Sequence, residues 1–181
     1  MQSFWELARF ALIAIIIVVP IRIFIAQPFI VSGSSMVPTF QDGQYLVVDE
    51  ISYIVGTPKR DDVVVFRNPN NTKIFFIKRI IGLPGETVDV KSETNEVTIT
   101  NKEHPEGFKL NQSFIVNTGG IDGHMVLGAN EYFVMGDNRP ASSDSRYWGV
   151  GPKKLMVGRA FLRLLPINKI DFMPGSFKQA E

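Results

Sequence analysis

The chain has 181 residues, 45% of them hydrophobic and 20% charged, with a formal net charge of +1. That length supports one domain with a modest core, and the near-neutral balance, with lysines and arginines spread along the chain, leaves no electrostatic footprint for nucleic acid. The lack of cysteine excludes a disulfide framework, a thiol nucleophile and a thiolate-held metal, while the two histidines, His104 and His124, stand far apart in polar, turn-like surroundings with no serine motif beside them.

From Phe10 to Ile21 the chain is uncharged and almost wholly apolar; Arg22 interrupts, and the apolar character resumes from Ile23 to Val31. A helix beginning near Phe4 reaches the ~20 residues that cross a bilayer. Glu6 and Arg9 then lie among the headgroups, and Arg22 snorkels at the opposite interface. The expectation is a single transmembrane anchor within residues 1–26. A cleavable signal peptide is a second reading, but Phe24 stands where a small residue is required; a buried core helix is a third. Arg9 balances Arg22, so charge counting does not fix the orientation.

The body, residues 27–181, reads as β-rich. Pro28–Val31, Tyr45–Asp49, Val63–Phe66 and Ile74–Ile81 are short apolar or β-branched runs. The last stops at Leu83-Pro84-Gly85, where Pro84 and Gly85 suit the central positions of a type II turn. Thr87–Val90 and Val97–Thr100 alternate about a polar stretch and predict a hairpin. Residues 101–120 predict a long loop with one short strand at Ser113–Val116. Tyr132–Met135 and Val157–Leu165 are further strands, the second ended by Pro166. The tail from Pro174 is polar and expected to be loose. Short strands with frequent turns favour an antiparallel all-β body.

Three segments could carry chemistry. The first, Ser32-Gly-Ser-Ser-Met-Val-Pro-Thr39, follows a strand directly, and its small residues would let a serine hydroxyl and backbone N–H donors face a substrate together; by itself it is equally a serine-rich turn. The second is Lys78. On an extended strand Phe76, Lys78 and Ile80 share one face while Arg79 points away with Ile77. A lysine in that place either snorkels at a sheet edge or is buried. Burial disfavours the ammonium, and lowering the usual pKa of about 10.4 by roughly 2–3 units would make a usable base, at a cost of about 3–4 kcal/mol to the fold. The third is the loop Gly136–Arg146, in which Asp144 has Arg146 or Arg139 within reach as a partner.

Together these segments resemble the bacterial type I signal peptidases over nearly the whole chain. The matching stretches stand in the family's order: Arg22–Phe29, Ser35-Met-Val-Pro-Thr39, Gly43–Val48, Arg60–Phe66, Phe76-Ile-Lys-Arg-Ile-Ile-Gly-Leu-Pro-Gly85, Gly136-Asp-Asn-Arg139 and Ser142–Gly149. The resemblance implies an all-β fold of mainly antiparallel sheets, like that of the self-cleaving repressors, behind one N-terminal transmembrane helix. It implies Ser35 as nucleophile, Lys78 as general base, Ser142 as the hydroxyl that orients the lysine, and Asp144 and Arg146 as a pair that shapes the site. For the oxyanion it implies the N–H of Ser35, with Gly33 and Ser34 as the neighbours from which a second donor must come; Gly33 stands where some members carry a donor serine. Phe29, Val31, Met36, Phe40 and Ile77 are the implied substrate-binding residues.

The implied reaction is hydrolysis of one peptide bond in a secretory precursor, after an Ala-x-Ala-like sequence and through an acyl-enzyme, with the signal peptide bound as an added strand. Secretory precursors and the lipid bilayer are the implied partners. The chain is expected to be a monomer, in the plasma membrane with an extracytoplasmic catalytic domain (27–181) and without metal or organic cofactor. Residues 86–130 form a short accessory insertion by comparison with two-anchor members. A repressor-type protease would carry a DNA-binding module where this chain has an apolar segment. A penicillin-binding enzyme would need Ser-x-x-Lys, and three residues after Ser35 comes Pro38.

Overall fold

The computed structural model describes residues 2–20 and 26–177. Helix α1 (Gln2–Pro20) is followed by β1 (Ala26–Ile30), β2 (Tyr45–Asp49), helix α2 (Ile51–Val55), β3 (Val63–Asn68) and the long β4 (Asn71–Gly82). Next come β5 (Thr87–Lys91), β6 (Glu96–Thr100), β7 (Phe108–Lys109), β8 (Gly123–Val126) and β9 (Glu131–Met135). Helix α3 (Ser145–Trp148), β10 (Gly151–Pro152), β11 (Met156–Leu165) and β12 (Asp171–Phe172) follow. The pairings are antiparallel throughout and make two sheets, one of eight strands in the order β1-β2-β11-β3-β4-β9-β10 with β12 beside β11, the other of four in the order β7-β6-β5-β8.

Alternation explains the small sheet. Val88 and Val90 of β5 and Val97 and Ile99 of β6 turn inward, and they meet Ile81, Phe133 and Met135 of the large sheet in one apolar cluster. That cluster joins the two sheets into one body, since each sheet has a face it must bury. The Leu83–Glu86 turn that links them bonds Glu86 N–H to Leu83 C=O, with Gly85 at φ +81°, as the proline-glycine pair predicts. A second cluster gathers Val31, Met36, Phe40, Leu46, Val63 and Ala160 beneath the turn that follows β1.

Strand β4 changes character along its length. Its first five residues are exposed, and from Lys78 onward every residue is buried. Strict alternation therefore fails at Arg79. Expected to point away from the apolar set, it is 1% exposed, because the loop after β9 and the C-terminal segment cover the second face.

The predicted strands at 45–49, 63–66, 74–81 and 132–135 and the 87–100 hairpin are present, some extended by a residue or more. Ser113–Val116 is not a strand; β7 and β8 form on either side of it, by pairing to β6 and β5. Pro174 is buried and the Gly175 carbonyl accepts from Arg79, so the start of the tail is fixed rather than loose. In α1 the side chains of Phe4, Trp5, Leu7 and Phe10 are exposed. Among the described residues no helix is long and apolar enough to cross a membrane, and Arg22, the expected far-interface residue, lies outside them.

At Gly158 strand β11 passes close to β2. A Cβ there would lie 2.3 Å from the Asp49 carbonyl oxygen on β2. Gly158→Ala is therefore expected to cost about 1–3 kcal/mol of stability, read as a lower urea midpoint; an unchanged midpoint would show that the β2–β11 contact yields freely.

Candidate active site

The strand β1 runs into the turn that carries Ser35, and two carbonyl contacts fix that turn. Asn138 donates its backbone N–H to Ser35 C=O at 3.0 Å and its side-chain amide to Ser34 C=O at 3.1 Å, which also accepts from Val37 N–H. A trans peptide points its N–H opposite to its C=O. Pinning Ser34 C=O on the Asn138 side therefore turns Ser35 N–H the other way, where no acceptor among the described residues takes it. The Gly33 N–H is engaged instead by Asp42 Oδ1 at 2.7 Å, with Gly33 at φ +89°. Of the implied oxyanion donors, the Gly33 backbone is thus already in use.

Lys78 reaches this turn from β4. Its Nζ donates to Ser35 Oγ at 2.7 Å and to Ile77 C=O at 3.0 Å, and stands 5.2 Å from the Phe76 ring centre. The residue is 3% exposed. Burial pushes its pKa down to about 8, against the pull of Asp144 and Asp137, both of which favour the ammonium. Near neutrality that leaves about a tenth of the amine uncharged, roughly 300-fold more than for a lysine in water.

Around this pair the loop from Gly136 to Arg146 closes. Asp144 binds Arg146 through two oxygens, at 2.8 Å each, and accepts the Gly136 N–H; of the two arginines the sequence offered it, the structure chooses Arg146. Arg79 binds Asp137 in the same two-pronged way, at 2.9 and 2.7 Å, and Thr39 of the serine turn donates to that carboxylate at 2.5 Å. Such forked, charge-assisted pairs are the strong ones. Arg139 has no carboxylate of its own. It donates to Gly136 C=O and to the Gln112 side chain, and burial with the nearby Arg146 charge lowers its pKa to about 10.

Ser142 is buried beside Gly136, where an added Cβ would lie 2.3 Å from its hydroxyl oxygen and 2.4 Å from Ser35 C=O. Its Oγ has no hydrogen-bond partner among the described residues; the amine's two bonds go to Ser35 and Ile77.

A cleft of about 280 Å³ opens over the Ser35–Lys78 pair, and Phe29, Val31, Phe75, Phe76 and Ile77 supply most of its apolar wall. Phe29 and Phe75 meet edge to face at 5.3 Å. Met36 and Phe40 correct the expectation. They are 1% and 0% exposed and belong to the cluster beneath the turn, because the Met36 C=O to Phe40 N–H bond folds them under it. Phe75, Phe76, Arg79, Asp137, Thr39 and Asn138 were not singled out from the sequence. His104 and His124 are exposed and lie on none of these elements. No cluster of residues fit to hold a metal ion occurs among the described residues.

A family model described as signal peptidase, peptidase S26, matches residues 4–165. A probable signal peptidase I-2 of Synechocystis sp. is 35% identical over 180 residues, covering 95% of this chain and 78% of that one. A signal peptidase I of Bacillus amyloliquefaciens is 38% identical over 150 residues, with 80% and 76% covered. A crystal structure of a signal peptidase I from Enterococcus faecalis V583 aligns with a TM-score of 0.48 at 28% identity, covering 58% of this chain and 97% of that one. The family match and the two sequence relatives define a serine endopeptidase, a class that a serine hydroxyl bonded to a buried amine at the floor of a cleft suits. The chain belongs to the signal peptidase family, peptidase S26, whose members remove signal peptides.

Lys78→Met tests what the buried amine does to the fold. The amine's pKa is about 8 folded against 10.5 ordinarily, so between those values the unfolded chain binds more protons and the native fold gains stability as pH rises. Removing the ammonium relieves roughly 3 kcal/mol near pH 7, and the lost hydrogen bonds return about 1. The variant is expected to be more stable by about 2 kcal/mol near neutrality, with the advantage fading as pH rises past 8. Urea titrations at both ends of that window check it, and an advantage independent of pH would contradict the assigned cause.

Proposed function

We propose that Ser35 is the nucleophile and Lys78 the general base of a signal peptidase that cuts secretory precursors after an Ala-x-Ala-like sequence. The 2.7 Å contact between a buried amine and a serine hydroxyl carries this reading. The uncharged amine takes the proton of Ser35 Oγ as that oxygen attacks the scissile carbonyl, and the tetrahedral oxyanion meets the free N–H of Ser35. The protonated lysine then gives its proton to the departing amine. The acyl-enzyme that remains is released by a water which loses its proton to the same nitrogen. Asp144 and Arg146 shape the wall of the site, and Ser142 supplies the hydroxyl that orients the amine.

Two unpaired strand edges flank the cleft. Strand β1 pairs only with β2 among the described residues, and β4 pairs with β9 only from Arg79 onward. An extended peptide laid between them gains backbone hydrogen bonds on both sides, and the shallow apolar wall at Phe29, Val31 and Ile77 admits small side chains. The N-terminal segment, with its exposed apolar residues on α1, holds the monomeric body at the plasma membrane on the extracytoplasmic side, where precursors emerge.

Ser35→Ala, Lys78→Ala and Lys78→Arg are each expected to abolish cleavage of a synthetic precursor peptide with the fold retained, the last because a guanidinium does not deprotonate. The wild-type kcat/KM is expected to rise about tenfold per pH unit below the lysine's pKa of about 8 and to level above it. Mass spectrometry of the products reads the cut site. Substantial turnover by folded Lys78→Ala would remove the dyad.

A further inference from the structure

One short stretch of the loop between β7 and β8 touches all three buried arginines of the site. The ring of Phe114 lies 4.2 Å from the guanidinium carbon of Arg79. The side-chain oxygen of Gln112 accepts from Arg139, and the Gly119 carbonyl accepts from Arg146 at 3.1 Å. The stretch is itself tied to the β5–β6 turn: Gly119 N–H donates to Ser92 C=O at 3.0 Å, and the Asn95 amide to Asn117 C=O at 2.9 Å. At Gly120 a Cβ would lie 2.3 Å from Arg146 Nη1, so the chain passes Arg146 closely enough to need glycine there.

We propose that Gln112 and Phe114 are positioning residues for the cleavage reaction: this loop holds the guanidiniums onto Asp137 and Asp144 and keeps water from both pairs, so that the two carboxylates do not hold a proton on Lys78. The proposal rests on the reading of Lys78 as the base. The groups that act on the Lys78 amine are its partners Ser35 Oγ and Ile77 C=O, the Phe76 ring, and the charges of Asp144 and Asp137. Each carboxylate is matched by a forked guanidinium, Arg146 and Arg79 respectively, while Arg139 lacks a carboxylate and relies on Gln112. Removing the Phe114 ring lets water reach the Arg79–Asp137 pair, and removing the Gln112 oxygen takes away the side-chain acceptor that ties Arg139 to the loop. Either change loosens the cover over the arginines, relaxes the desolvation of the amine and weakens the match of guanidinium to carboxylate, and both push the lysine towards its charged form.

The test is kcat/KM for a synthetic precursor peptide from about pH 6 to about pH 10, measured on the full chain in detergent with thermal melts alongside. Phe114→Ala and Gln112→Leu are expected to lose about three- to tenfold near pH 7 and to recover to within about twofold of wild type near pH 9.5, the rising limb having moved up by roughly 0.5–1 unit. Phe114→Tyr, which keeps the ring over Arg79, is expected to retain the wild-type profile. Gln112 is only partly buried and leucine is of similar size, so at least this variant keeps the fold. A loss equal at every pH with the limb in place, or no loss at all, in the variants that fold, overturns the proposal. Turnover by Lys78→Ala in the same assay instead overturns the reading on which it rests, whatever the loop variants do.

Discussion

The structure is organised around one amine that must be kept dry. Lys78 stands among apolar and paired groups, and desolvation holds its proton loosely. Two carboxylates, Asp144 and Asp137, pull the other way. A carboxylate that lost its guanidinium would act against the depression that burial achieves. The forked pairs Arg79–Asp137 and Arg146–Asp144 prevent this. The buried ions are thus a condition for the neutral amine as well as a frame for the loop. Their own net contribution to stability is small or negative once desolvation is counted, so their place is better explained by the chemistry beside them.

The same pairs connect the serine turn to the rest of the body. Asp137 accepts from Thr39, four residues beyond Ser35. Arg79 adds bonds to Asp61 C=O and Gly175 C=O, so the turn, the strand that carries Lys78, the loop after β9 and the C-terminal segment meet at one guanidinium. The Ser35–Lys78 distance is therefore set by a closed ring of contacts rather than by either segment alone. Asn138 closes the ring on the other side by holding Ser34 and Ser35 through their carbonyls, which leaves the Ser35 N–H without an acceptor among the described residues.

Much of this was legible in the sequence, and the rest failed for identifiable reasons. Strands whose one face is buried, such as β5 and β6, declare themselves by alternation. The serine turn and Lys78 declare themselves by residue type and by family order. Arg79 did not, because a strand covered on both faces has no polar side, and its partner Asp137 lies 58 residues away. Met36 and Phe40 are implied pocket residues only through the family resemblance; a turn that folds its own side chains under itself gives no periodic signal. Strand β8 (Gly123-His-Met-Val126) has one glycine and one exposed histidine in four residues, and only its partner β5 makes it a strand. Arg79 and β8 depend on contacts distant in sequence, whereas Met36 and Phe40 depend on how one local turn closes.

Contacts distant in sequence also hold the accessory region of residues 86–130. Its own hairpin, β5 and β6, needs only the apolar cluster shared with Ile81, Phe133 and Met135. The stretch from Gln112 to Gly119 contributes little to that cluster, and several of its residues are exposed. Its fixed points are the contacts of Gln112, Phe114 and Gly119 with the arginines, the ties to the β5–β6 turn at Ser92 and Asn95, and the edge-to-face contact of Phe114 with Phe177. A loop ordered for packing would put its apolar side chains into the core, yet here Phe114 lies flat against a guanidinium, where a ring face meets a cation. The stabilisation from such a contact is on the order of 1–2 kcal/mol when partly desolvated, enough to hold the loop but modest beside the cost of leaving Arg79 and Asp137 open to water with a neutral amine to protect. The accessory sheet is best understood as the support from which that cover is held, which joins it to the surroundings of the Lys78 amine, the base in the proposed reaction.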